Sequence, residues 1–118
     1  MAIPAGTPLV DGEQVHFGEN MLDLSARTLM KGSTAEIITS GEFSLLAAFV
    51  QLPHRPLSRE RLIELARGPG SETDSRSMDV QVSRVRKLVE PDPTRPRYIQ
   101  TVWGYGYVFV PDGTPRSR

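Results

Sequence analysis

The chain has 118 residues, 38% of them hydrophobic and 24% charged, enough apolar material for one core and about the length of one domain. Fourteen basic and fourteen acidic side chains cancel, no apolar run reaches the ~18 residues of a membrane-spanning helix, and no basic segment leads into an apolar one at the N-terminus, so neither a span nor a secretory leader is expected. With no cysteine, a disulfide scaffold, a thiolate zinc finger and a cysteine nucleophile are excluded, and the composition fits a reducing cytoplasm.

Residues 1–12 mix Pro, Gly and small side chains without a period and are expected to be a linker or tail. Short extended runs follow at Gln14–Phe17, Met21–Leu24, Thr28–Met30 and Ala35–Ile38. Turn residues stand between them, so residues 13–38 predict a small antiparallel meander. The period then changes. Thr39 and Glu42 form a capping box, with Ile38 and Phe43 at the staple positions around it. Phe43, Leu46, Ala47 and Val50 recur at helical spacing until Pro53 ends the helix. Ser58 caps a second, short helix through Arg67, with Leu62, Leu65 and Ala66 expected to turn inward. Gly68 suits the left-handed position after it, and Pro69 blocks continuation.

A polar loop, residues 68–75, precedes a third helix from about Arg76 to Val89. Met78, Val82, Val85 and Val89 make one apolar stripe along it. Glu90 before Pro91, with Pro93 and Pro96 beyond, stops it. The runs Arg97–Val102 and Tyr107–Val110 are β-rich and joined by Trp103-Gly104-Tyr105-Gly106, whose glycines permit positive φ; a hairpin is the natural expectation. The folded domain is expected over residues 13–111, with residues 112–118 a disordered tail. A short sheet, three helices and a hairpin make an α+β plan, the winged helix-turn-helix.

Opposite the stripe of the third helix stand Ser77, Val80, Gln81, Arg84 and Lys87, with Arg76 at the entrance. A cation able to grip guanine, an amide able to read adenine and a small apolar contact for a thymine methyl are the chemistry of base-edge readout. A helix about 10–12 Å across also fits a major groove about 12 Å wide. An ordinary solvated basic face has the same pattern, so the surroundings must decide. Trp103 and Tyr105 sit at a turn with Arg95 and Arg97 at its base, which suits a sugar–phosphate or minor-groove contact; the alternative is that Trp103 folds back onto the third helix. Thr101 is either a phosphate donor or simply a strand residue. Charge is also segregated. Residues 1–53 hold six acids and two bases, residues 54–118 eight acids and twelve bases, so one face is prepared for a polyanion.

The segments ITSGEFSLLAAFV (38–50), LSRERLIELARG (57–68) and RSMDVQVSRVRKLVEPDPTRPRYIQTVWGYGYVFVPDG (76–113) closely resemble the effector domain of OmpR/PhoB-type response regulators. The most specific parts are the third-helix pattern from Arg76 to Arg86 and the wing from Gln100 to Phe109. The resemblance implies a four-stranded antiparallel sheet, three helices and a C-terminal wing. It implies that Arg76, Val80, Gln81, Ser83 and Arg84 face double-stranded DNA, that Arg86 lies near its backbone, and that Thr101 and Trp103 of the wing reach phosphate or the minor groove. The segment Gly68, Pro69, Gly70, Ser71, Glu72, Thr73, Asp74 and Ser75 matches the one that contacts RNA polymerase. It further implies binding as paired copies on adjacent half-sites, controlled by a phosphoacceptor receiver domain and its sensor kinase. No receiver domain stands in this chain, which is expected to be part of a longer regulator. Trp103 replaces the arginine that many relatives carry in the wing. Asp79, at the family's helix aspartate, is expected to be an internal salt-bridge or capping partner, because an exposed carboxylate would repel phosphate.

No enzyme, metal or cofactor is expected. His16 and His54 have no metal-ligand spacing, no Gly-x-Ser-x-Gly element occurs, and Gly104-x-Gly106 lacks the third glycine and following helix of a dinucleotide loop. The other class left open is an interaction module that docks RNA polymerase and has little specific DNA binding.

Overall fold

Alternation of apolar and polar residues at the start of the chain produces four short strands: β1 (Gln14–Phe17), β2 (Asn20–Asp23), β3 (Thr28–Lys31) and β4 (Thr34–Glu36). The structure, a computed structural model, describes residues 13–116; the expected linker at 1–12 lies outside them. The strands pair antiparallel in chain order, with Val15 opposite Leu22 and Leu22 opposite Leu29. This register puts Phe17, Leu22 and Leu29 on one buried face, as a period of two requires.

Helix α1 (Ser40–Val50) begins with the expected capping box: the Thr39 hydroxyl accepts from the Glu42 amide at 3.0 Å, and the Glu42 carboxylate accepts from the Thr39 amide at 2.9 Å. Its burial goes well past the expected stripe. Leu45, Ala48 and Phe49 are buried along with Phe43, Leu46 and Val50, because the two other helices and the last strand of the wing pack against it. A helix covered on most sides gives little one-faced periodicity.

Strand β5 (Leu57–Ser58) then pairs with the last strand of the chain, and Ser58 also caps α2 (Arg59–Arg67). On α2 the buried residues are Leu62 and Ile63, while Leu65 remains 37% exposed and Ala66 half-buried. The inward face is thus rotated from the expected Leu62–Leu65–Ala66 set. Gly68 ends the helix at φ 95°, ψ 157°; this is positive φ as expected, but with extended ψ rather than the left-handed helical value, a region open essentially to glycine.

Helix α3 (Ser75–Val89) starts one residue earlier than expected. Asp74 is its N-cap, its carboxylate accepting from the Ser77 amide at 2.8 Å. Met78, Val82, Val85 and Val89 are buried as one stripe. Beyond it, Glu90 is itself buried and accepts from the backbone amides of Arg97 (2.6 Å), Tyr98 (3.1 Å) and Ile99 (2.8 Å). One carboxylate therefore satisfies three amides where the chain enters β6 (Ile99–Val102), and such charge-assisted bonds are stronger than neutral ones. Strand β7 (Gly106–Phe109) returns antiparallel to β6, giving a three-stranded sheet ordered β5-β7-β6. The described residues that follow stay close to the wing. The Gln100 amide donates to the Thr114 carbonyl at 3.0 Å and its oxygen accepts from the Arg116 amide, so residues 112–116 pack back on β6, contrary to the expected tail from residue 112.

The two wing glycines act differently. Gly104 takes φ 75° in the turn. Gly106 has ordinary φ, but a Cβ there would lie 2.0 Å from the Leu57 carbonyl oxygen, so it is the close approach of β5 that requires glycine. Gly106→Ala is expected to part β5 from β7 and lower the thermal midpoint. Calorimetry checks it; a midpoint equal to wild type would show that β5 gives way without cost.

Candidate nucleic-acid interface

The stripe that buries one side of α3 turns the other side to solvent. Arg76, Ser77, Ser83, Arg84 and Lys87 are exposed, and Val80 is 48% exposed. Among the described residues, Arg76, Arg84 and Lys87 make neither an ion pair nor a side-chain hydrogen bond. Two other cations are paired: Arg59 with Asp79 at 2.8 Å, Arg61 with Glu64 at 3.1 Å. The helix thus presents three uncommitted positive charges along one flank.

Two expected readers stand differently. Gln81 is half-buried, and its Oε1 accepts from Nη2 of Arg67, whose Nη1 also donates to the carbonyls of Gly41 and Ala66 at 3.2 Å each. Gln81 and Arg84 do not project outward as equals: Arg84 is exposed, while one end of Gln81 is tied inward. Arg86, expected beside the DNA backbone, turns to the wing. Its Nε and Nη2 donate to the Ile99 carbonyl at 3.0 and 2.7 Å, and Nη2 also donates to Thr101 Oγ1 at 3.0 Å. Arg86 brackets the helix to β6, and the Thr101 oxygen accepts a hydrogen bond from within the protein while its own hydroxyl hydrogen stays available.

At the turn of the wing, Trp103 is 81% exposed and Tyr105 49% exposed. Trp103 does not fold onto α3. Arg95 and Arg97 are exposed at the foot of β6. In the segment 68–75, Asp74 and Ser75 belong to the start of α3, and the remainder is held by the Ser71 hydroxyl, which donates to Thr73 Oγ1 at 3.0 Å and accepts from the Thr73 amide. The segment carries Glu72 and Asp74 and no cation.

Behind the exposed face lies a polar cluster that sets the angle of α3. Asp79 Oδ1 accepts from Arg59 Nε at 2.8 Å and from the Tyr107 hydroxyl at 2.6 Å, so Asp79 is the internal partner expected of it. The guanidinium carbons of Arg86 and Arg59 lie 5.2 and 5.6 Å from the centre of the Tyr107 ring, within reach of cation–π attraction. Burial pushes the Asp79 carboxyl up, but the hydrogen bonds from Tyr107 and Arg59 and the nearby guanidinium charges outweigh it and hold it below its ordinary value. Burial, with the bond to Asp79, pushes Tyr107 up to about 12. Burial lowers Arg86 against the pull of Tyr107, Glu90 and Asp79.

Sequence reasoning missed Arg67. It reads as an ordinary cation in the last turn of a helix, and nothing local signals a partner fourteen residues on. Asp79 was legible as an internal partner, but Arg59 and Tyr107 are joined to it only by the fold.

A sheet in front, three helices and a wing behind define a winged-helix effector domain, with its exposed helix face and wing tip as the candidate interface. Residues 34–109 match the family described as "Transcriptional regulatory protein, C terminal". The regulatory protein VirG of Rhizobium rhizogenes is 40% identical over 103 residues, covering 86% of this chain and 43% of VirG. The response regulator DrrB of Thermotoga maritima, described as an OmpR/PhoB homolog, superposes with a TM-score of 0.75 at 31% identity, over 83% of this chain and 44% of DrrB. The DNA-binding domain of Klebsiella pneumoniae RstA, solved in complex with the RstA box, gives 0.73 at 30% identity, over 84% of this chain and 98% of that one. The chain belongs to this family of transcription-regulator C-terminal domains, and is of the OmpR/PhoB type. It spans less than half the length of the VirG relatives. The family is one of transcription regulators and not of enzymes, and no helix among the described residues is long and apolar enough to cross a membrane.

The cluster behind the face makes stability depend on pH at both ends. The raised Tyr107 value means that its contribution is complete below its ordinary 10 and is lost as pH rises from 10 toward 12. The depressed Asp79 value means that its contribution is present above its ordinary 3.8 and is lost as pH falls through its lower folded value. Urea unfolding midpoints across pH should show Tyr107→Phe flattening the alkaline limb and Asp79→Asn flattening the acid limb. Limbs in the variants as steep as in wild type would contradict the linkage.

Proposed function

We propose that this domain binds double-stranded DNA sequence-specifically, with α3 in the major groove and the wing on the phosphate backbone or minor groove. The observation that carries this is the division of labour among its cations. Arg76, Arg84 and Lys87 stay uncommitted on a helix flank whose opposite flank is core, while Arg59, Arg67 and Arg86 are engaged between elements of the protein and Arg61 in a surface pair. Uncommitted cations on a rigid rod are the arrangement that can meet phosphates and guanine edges without first breaking internal bonds. RstA, which superposes over most of this chain, is described as bound to its DNA box.

Within this reading Arg84 grips a base edge. Arg76, Ser77, Ser83 and Lys87 meet phosphate or base edges along the groove, and Val80 offers a thymine-methyl contact. Gln81 reads beside Arg84, Thr101 donates its remaining hydroxyl hydrogen to phosphate, Trp103 lies against the backbone, and Arg86 serves by holding the wing to α3. A single module of this kind buries about 600–1,000 Å² on DNA, so paired copies on adjacent half-sites are needed for tight binding. In the longer regulator that the relatives' length implies, a receiver domain phosphorylated by a sensor kinase would supply the pairing. The segment 68–75 favours a second, additional contact: two acids and no cation suit a protein surface such as RNA polymerase and would repel phosphate.

Fluorescence anisotropy on a duplex with two selected half-sites, against a scrambled duplex at several salt concentrations, tests the reading. Arg84→Ala is expected to weaken specific binding about tenfold or more with an unchanged circular dichroism spectrum. Equal affinity of wild type for both duplexes, or an Arg84→Ala affinity equal to wild type, would overturn it.

A further inference from the structure

Beside α3 lies a cleft of about 480 Å³ lined by the start of α1, the end of α2 and, from α3, Gln81 and Arg84. Arg67 crosses its wall. One guanidinium nitrogen ties the Gly41 carbonyl of α1 to the Ala66 carbonyl of α2, and the other donates to Gln81. A guanidinium has donors and no acceptor. Whichever atom of the Gln81 amide faces Arg67 must therefore be the oxygen, and the amide nitrogen, with its two hydrogens, is left for the groove.

We propose that Arg67 is a positioning residue that sets the base preference of Gln81 by holding its oxygen, so that Gln81 reads DNA as a hydrogen-bond donor. This rests on the DNA-binding reading above. A free glutamine pairs with adenine through both ends, accepting from N6 and donating to N7. With one lone pair of its oxygen taken and the oxygen turned toward Arg67, Gln81 offers the groove its amide hydrogens first, and the adenine-specific half of that pair is weakened. Guanine, with acceptors at O6 and N7, and thymine, with O4, become its best partners, and cytosine, which presents only the N4 donor, its worst. Arg67 reaches this result without touching DNA itself. Its three acceptors lie on three helices, so the guanidinium is fixed by the packing of the helical unit and not by its own flexible stem.

The test is selection of bound duplexes from a random-sequence pool with wild type, Gln81→Ala, Arg67→Ala, Arg67→Lys and Gln81→Glu. Gln81→Ala marks the base pair that Gln81 reads, as the one position where preference disappears. At that position wild type is expected to favour guanine or thymine. Arg67→Ala is expected to shift the preference toward adenine by about tenfold while the other positions keep theirs. Arg67→Lys, which still offers a donor, keeps the wild-type preference. Gln81→Glu, whose second carboxylate oxygen would face the groove, turns the position toward cytosine. Thermal melts confirm that each variant folds, and should Arg67→Ala not fold, the lysine and glutamate variants decide. No enrichment by wild type would sink the DNA reading itself. Enrichment by wild type with the same preference at the marked base pair in Arg67→Ala and in Gln81→Glu would sink this inference alone.

Discussion

Everything exposed on α3 depends on how its buried side is gripped, and the grip is electrostatic as well as apolar. Met78, Val82, Val85 and Val89 decide which face points inward, but apolar contacts are not directional and leave a helix free to slide or roll. The Asp79 carboxylate removes that freedom. It accepts from Arg59, on the helix before, and from Tyr107, on the wing, so one oxygen joins three elements that are far apart in the chain. Arg86 adds a second bracket, between α3 and the Ile99 carbonyl. With Asp79 and Arg86 inward, Arg76, Ser77, Val80, Ser83, Arg84 and Lys87 are left facing solvent.

Charge in this domain is divided by role and not simply by amount. The sum is zero, and three arginines of the second half, Arg59, Arg67 and Arg86, are engaged in holding helices and wing together. Three other cations, Arg76, Arg84 and Lys87, share one exposed flank of α3. A domain built this way has a weak long-range pull on a polyanion and depends on fit at close quarters.

The elements were largely legible because each is announced by local chemistry: the Thr39–Glu42 box, Ser58 as a cap, the four-residue stripe of α3, the glycines of the wing. The losses were of two kinds. Two-residue β5 has no periodicity of its own and exists because Gly106 lets another backbone come close. The facing of α2 could not be read because Leu62, Ile63, Leu65 and Ala66 admit more than one inward arc, and packing selects Leu62 with Ile63. At the candidate site the exposed set from Arg76 to Lys87 followed from the stripe alone. The inward pull on Gln81 and Arg86 did not, since Arg67 and Ile99 meet them only once the chain has folded.

The far end of α3 is pinned to the first sheet. Asn20 Nδ2 donates to the Val89 carbonyl at 2.9 Å and Lys31 Nζ to the Leu88 carbonyl at 3.4 Å. The consequence is leverage. Fifteen residues at about 1.5 Å each make a rod of about 22 Å, so a swing of about 10° around the pinned end carries the opposite tip through about 4 Å. That exceeds the 3.4 Å rise between stacked bases, so in the proposed complex a small tilt of the first sheet would change which rung of the ladder the tip of the rod meets.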